Sequence, residues 1–113
     1  MDKKHKKYTF MDKREAVMAA QRYVNTISET FPLCRALVFG SYAKGKQHSG
    51  SDIDVAVVMR EISNLFDMQV HLMQLRSDSD LQIEPHAFRE TDFDSDDPFV
   101  HEILQDSVEL TVM

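Results

Sequence analysis

The chain has no tryptophan, one cysteine, three glycines and three prolines in 113 residues, and each scarcity narrows its reading. A lone Cys34 cannot close an internal disulfide, which argues for a reducing cytoplasm and against a disulfide-stapled secreted fold. It reads as a packing residue just before the first strand. No apolar run approaches the roughly 18 residues that span a bilayer, and the first residues lack the apolar stretch of a secretion signal, so neither a membrane span nor a leader is expected. Repeats, low-complexity tracts and interdomain linkers are missing too. What remains is 42% hydrophobic and 28% charged, the make-up of one small globular domain whose core is adequate rather than generous. The seven methionines read as filler for that core.

Positive charge is also in short supply. Thirteen Lys and Arg stand against nineteen Asp and Glu, a net charge of −6. Lys3, Lys4, Lys6 and Lys7 against Asp2 make the first seven residues +3, so the remainder carries −9. Residues 1–11 therefore read as a basic, flexible arm and residues 12–113 as the folded domain. An acidic body argues against duplex nucleic acid as the main ligand, because neutralising phosphates supplies most of that affinity. A small triphosphate escorted by a divalent cation is compatible with it.

All three glycines fall between Gly40 and Asp54. An apolar run, Ala36 to Phe39, leads into this stretch, and another, Val55 to Met59, leads out. The pattern reads as strand, Gly40-Ser41 opening a short helical turn, polar loop, strand. Backbone N–H groups left free at such a turn can hold a phosphate, glycine permits a close approach, and Lys44 adds a cation one turn on. The second strand opens on Asp52-Ile53-Asp54. Side chains in a strand alternate, so the two carboxylates share a face and repel unless a cation such as Mg²⁺ lies between them. A phosphate cradle facing a carboxylate pair points to phosphoryl or nucleotidyl transfer.

Gly40-Ser41, ten residues, then Asp52-x-Asp54 resembles the signature of the nucleotidyltransferase superfamily related to DNA polymerase β. The short length resembles its minimal nucleotidyltransferase branch, and the likeness runs from about Asp12 onward. Many members carry arginine where this chain has Lys44, which remains a phosphate-binding point charge without the planar fork. The resemblance implies two Mg²⁺ ions, an NTP (ATP above all) as donor, and a third carboxylate from the strand after Asp54. It also implies work with a helical protein of the HEPN (higher eukaryotes and prokaryotes nucleotide-binding) type, as an antitoxin or half of a split transferase.

The rest of the chain supplies scaffold and that third carboxylate. From Asp12 to about Thr30, Val17, Ala20, Val24, Ile27 and Phe31 form a helical stripe; Asp12 with Glu15 reads as a capping box, and Phe31-Pro32 ends the helix. Glu61 to about Arg76 reads as a second helix, with Ile62, Leu65, Phe66, Met73 and either Val70 or Leu72 facing the core. His71 on it reads as surface. After the turn at Ser77-Asp80, Leu81 to Phe88 alternates as a third strand, with Leu81, Ile83 and Pro85 on one face and Gln82, Glu84 and His86 on the other. A helix between two strands permits a parallel crossover, which sets Glu84 beside Asp52 and Asp54. Glu84 matches the family's third carboxylate, Asp80 ranks second, and His86 is a helper for phosphate or acceptor. Pro85 suggests an edge strand. The acidic stretch Thr91–Asp97 reads as a solvated loop, Asp97-Pro98 opens a last helix, and Val108, Leu110 and Val112 alternate as a short final strand.

The expectation is a single α/β domain with a mixed sheet of three to four strands, helices on one face and the site at the opposite, open edge. Catalysis is assigned to Asp52, Asp54 and Glu84, which also hold the metal, and phosphate binding to Gly40, Ser41 and Lys44. The function expected is Mg²⁺-dependent transfer of an NMP, AMP first, to a hydroxyl on a HEPN-type partner. The alternative is a module that binds nucleotide or partner without turnover. Oligomers are compatible with either.

Overall fold

A computed structural model describes residues 11–112. The basic arm expected over residues 1–11 lies outside them apart from Met11, which packs against the core. The capping box forms as read: the Glu15 N–H donates to Asp12 Oδ1 at 2.8 Å, and the Asp12 N–H donates to Glu15 Oε1 at 3.1 Å. Helix α1 then runs Lys13–Ser28. Its buried face is wider than the expected stripe, because Ala16, Ala19 and Tyr23 join Ala20, Val24 and Ile27, while Val17 and Phe31 are only partly buried.

Four strands follow: β1 (Leu33–Phe39), β2 (Ile53–Met59), β3 (Ile83–Arg89) and β4 (Val108–Glu109), in the sheet order β3-β2-β1-β4. β1 is antiparallel to β2 and β4, while β2 and β3 run parallel across helix α3 (Leu65–Gln74). This is the mixed α/β sheet expected. Cys34 lies inside β1 rather than before it, half-buried. Period-2 alternation sorts the two faces. Ala36, Val38, Ile53, Val55, Val57 and Ile83 pack with α1 and with Leu72 of α3 in the main core. Leu37, Phe39 and Ala56 point the other way, onto Ile103 of helix α4 (Pro98–Gln105). α1 and α3 thus share one face, and the short α4 adds a cover to part of the other. Asp97 caps α4 as read, accepting from the Phe99 and Val100 N–H groups at 2.8 and 3.2 Å.

Helix α3 starts later than expected, at Leu65 instead of Glu61, because Asn64 takes the cap position and accepts from the Asp67 N–H at 2.9 Å. Ile62 is buried all the same, but from the preceding loop. The inward stripe is Leu65, Met68, Leu72 and Leu75, so Leu72 and not Val70 fills the core. Phe66, one step of about 100° round from Leu65, is 75% exposed, and Met73 also faces out, against the expectation for both. Side chains of α3 and of the residues just after it also protect the free edge of β3. Gln69 donates to the Pro85 carbonyl and accepts from the Ala87 N–H at 3.0 Å, and Arg76 donates to the Ile83 carbonyl at 2.9 Å. Pro85 stands on the edge strand, where its missing N–H costs no ladder bond to a neighbouring strand.

Tyr23, fully buried, donates its hydroxyl to the Leu72 carbonyl, one of the four at the end of α3 that the helix itself leaves unpaired. Desolvation, outweighing the nearby Arg76 cation, pushes the phenol above its ordinary 10.0. The unfolded chain therefore loses this proton first as pH climbs past 10.0, and stability falls there. Tyr23→Phe should cost about 1–2 kcal/mol at neutral pH and flatten the alkaline decline. Urea unfolding of both proteins from neutral pH to about pH 11 checks this; equal stability and equal alkaline slopes would contradict it.

Candidate active site

The turn after β1 is built on Gly40. Its φ of 78° and ψ of −152° lie where a side chain is strained, and a Cβ there would fall on Asp54 Oδ2. Glycine is therefore what lets the Asp54 carboxylate and the turn backbone meet. Helix α2, the single turn Ser41–Lys44, follows, closed by Gly45 in the left-handed region and by Lys13, which donates to the Ala43 carbonyl at 3.3 Å. Tyr42 anchors the turn in the core: it is fully buried, and its hydroxyl accepts from Gln82 at 3.2 Å.

Gln82 was expected on the open polar face, yet it is buried. Its side-chain amide also donates to the Ser51 carbonyl at 3.0 Å, and its main-chain carbonyl accepts from the Ile53 N–H at 2.8 Å. Both neighbours of Asp52 are thus tied to Gln82, so the loop delivers Asp52 to β2 at a fixed place. Two glycine-free anchors, Tyr42 and Gln82, do what the motif alone does not reveal.

The parallel register of β2 and β3 pairs Asp54 with Glu84 and Ala56 with His86. Alternation then puts Asp54, Glu84 and His86 on one face, and their ligand atoms lie within 4.8 Å of one another. His86 Nε2 is 3.1 Å from Asp54 Oδ1 and 4.0 Å from Glu84 Oε1. Asp52, exposed at the strand entrance, stands outside that group of three. Its charge still reaches: the Glu84 carboxyl is pushed above the usual carboxylate range first by desolvation, then by the Asp54 and Asp52 carboxylates, with His86 acting in the opposite direction. Asp80 sits in the turn before β3, accepting from the Ser77 hydroxyl at 2.9 Å, and is not part of the cluster.

His86 is the residue that sequence reasoning undervalued. The signal was present as Glu84-x-His86, two same-face positions on the strand beside Asp52-x-Asp54. What the pattern lacks is Phe39, whose ring lies 5.1 Å from the imidazole and seats it against Asp54. The donor set fits a hard divalent cation. Carboxylate oxygens from neighbouring strands converge on one point, and an imidazole that hydrogen-bonds one of them fixes its orientation.

Lys44 is placed at the mouth of the site, but it is engaged. Its Nζ lies 3.6 Å from Glu102 Oε2 of α4. Both groups are partly or largely exposed, so the pair is weak and a phosphate can compete for the lysine. Ser41 opens α2 half-buried. A hollow of about 110 Å³ lies between this turn and α4, lined by Phe39, Gly40, Lys44, Phe99, Glu102 and Ile103. Beyond the site, no helix among the described residues is long and apolar enough to cross a membrane.

Comparison with known proteins gives two findings of likeness. The chain matches the family described as "Polymerase beta, Nucleotidyltransferase" over residues 21–112. A crystal structure at 1.40 Å of a candidate nucleotidyltransferase from Sulfolobus solfataricus shares the fold with a TM-score of 0.63 at 23% identity, over 86% of this chain and 80% of that one. No protein of curated function matches the sequence.

Proposed function

This chain belongs to the polymerase beta nucleotidyltransferase family, and we propose that it moves AMP from ATP to a hydroxyl group carried by a second protein. The observation that carries the reading is the strand register that sets Glu84 beside Asp54, directly against the Gly40 turn. Asp54 and Glu84 side by side, with the Asp52 charge within reach and a phosphate-sized turn against them, are costly to fold without a ligand that neutralises them.

Each residue then has a part. Backbone N–H groups at Gly40 and Ser41, the Ser41 hydroxyl and the Lys44 ammonium hold the β- and γ-phosphates, with Lys44 released from Glu102. Asp52, Asp54 and Glu84 hold the metal, and His86 orients Asp54. Two Mg²⁺ ions, when bound there, supply charge neutralisation of the triphosphate and the acceptor oxygen. Glu84, whose carboxyl is pushed upward, is the group suited to take the acceptor's proton. The acceptor oxygen bonds to the α-phosphorus, the bond from that phosphorus to its bridging oxygen breaks, and pyrophosphate leaves on the Gly40–Lys44 side.

The acceptor is a tyrosine or another hydroxyl of a helical HEPN-type protein, and the role that follows is an antitoxin's, exercised in a reducing cytoplasm. Support comes from the family resemblance, from an acidic body that disfavours polynucleotides, and from a site hollow of about 110 Å³, too small to enclose donor and acceptor together. Mass spectrometry of the co-expressed pair should show one added AMP on the partner, absent with Asp52→Ala/Asp54→Ala. Full-rate modification of a free small molecule by the chain alone would contradict the partner. A module that binds without turnover is the second reading, favoured by the Lys44–Glu102 pairing across the phosphate side; unmodified partner in that experiment selects it.

Within the site, Glu84→Gln should lower turnover by about a hundredfold or more with only a modest loss of nucleotide binding. Asp80→Asn, which alters a turn hydrogen bond, should be nearly silent. Steady-state rates and calorimetric ATP titrations separate the two variants, and the reverse pattern would sink the assignment.

A further inference from the structure

Helix α4 brings an aromatic ring to the rim of the site. Phe99 is 48% exposed, one of the few large apolar side chains among the described residues left open to solvent. Its position is fixed from beneath: the ring meets Phe39 edge-on at 6.0 Å, and Phe88 at 6.0 Å with the planes 38° apart. Phe39 in turn touches the His86 ring at 5.1 Å, and His86 reaches Asp54. Two ring contacts therefore separate the carboxylates from an open aromatic surface. Phe99 also lines the same hollow as Gly40 and Lys44. The small second core of Leu37, Phe39, Ala56 and Ile103 closes without this side chain.

We propose that Phe99 is the platform on which the nucleobase of the donor NTP stacks. The proposal rests on the nucleotidyl-transfer reading above and adds the subsite which that reading leaves unassigned. A triphosphate held by the Gly40 turn leaves its nucleoside to extend across the hollow toward α4, where the ring offers a π-face and no hydrogen-bonding edge. Stacking of this kind tolerates any base and strengthens with ring area, so purine nucleotides should bind more tightly than pyrimidine ones without strict selection between adenine and guanine.

The test uses binding, with inorganic tripolyphosphate as the base-free probe. Phe99→Ala should weaken Mg²⁺·ATP by about tenfold or more and leave Mg²⁺·tripolyphosphate unchanged. Phe99→Trp should keep ATP affinity, and because the chain has no other tryptophan its emission reports the site alone. ATP should quench it more than UTP does, and tripolyphosphate should not. Equal weakening of ATP and tripolyphosphate by Phe99→Ala, or a Phe99→Trp emission indifferent to bound ATP, overturns the platform. Should wild-type protein bind tripolyphosphate as tightly as ATP, the platform falls while the phosphate site stands; should it bind neither, the nucleotidyl-transfer reading falls and takes the platform with it.

Discussion

Asp54→Asn is expected to cut nucleotidyl transfer by about a thousandfold and to abolish Mg²⁺·ATP binding measurable by calorimetry, while leaving the metal-free fold intact. The magnitude follows from position. Asp54 stands where three parts of the site meet: Glu84 lies across the register, His86 is in contact at 3.1 Å, and the Gly40 turn lies against Oδ2. Metal-held charge is worth several kcal/mol in a transition state, and each ~1.4 kcal/mol is a factor of ten. Stability moves little because two effects oppose. The variant loses a charge-assisted contact to His86 but relieves repulsion among Asp52, Asp54 and Glu84. A thermal melt should show Mg²⁺ raising the midpoint of wild type and not of Asp54→Asn. Unchanged ATP binding in the variant would remove Asp54 from the site.

Gly40→Ala should lose activity by about a hundredfold, with Asp54 itself untouched. The new Cβ would fall on the Asp54 carboxylate, and a displacement of about 1 Å in a catalytic group is enough for such a loss. Left-handed φ adds about 1–3 kcal/mol of strain. Gly45→Ala supplies the control. It too has a left-handed φ, of 73°, but its Cβ would meet nothing within 4 Å. Both variants should be destabilised, and only Gly40→Ala should lose activity out of proportion. Equal rates in the two would mean that the close approach at Gly40 serves folding alone.

The parts of the site that could be read in advance are those governed by chain-local rules. Strand parity placed Asp54, Glu84 and His86 on one face, and helix length between β2 and β3 implied the parallel crossover that brings Glu84 opposite Asp54. The capping pair Asp12 and Glu15, and the cap at Asp97, needed nothing beyond their spacing. What escaped depends on partners distant in sequence. Gln82 alternates as an outward residue, but Tyr42 and the Ser51 carbonyl offer it two hydrogen bonds that outweigh exposure to water. His86 is aimed by Phe39, forty-odd residues earlier on another strand. Phe66 is apolar and helical, yet it turns outward because Leu65, Met68 and Leu72 take the core-facing side of α3. Nor does any periodicity say that α4 crosses the face bearing Asp54, because its own stripe is satisfied by either side of the sheet. That crossing gives Lys44 its partner Glu102 and the site its aromatic wall.

Transfer of a nucleotidyl group, and not of a terminal phosphoryl group, is the reaction proposed for this carboxylate cluster. It is tested most directly by following the position of the label. The chain, Mg²⁺, ATP and the proposed helical partner are incubated twice, once with phosphorus label at the α-position and once at the γ-position, beside Asp54→Asn in each case. The expected result is α-label covalently bound to a hydroxyl of the partner, γ-label released only as pyrophosphate, and neither event with the variant. Label transferred from the γ-position, or α-label transferred equally well by Asp54→Asn, would contradict it.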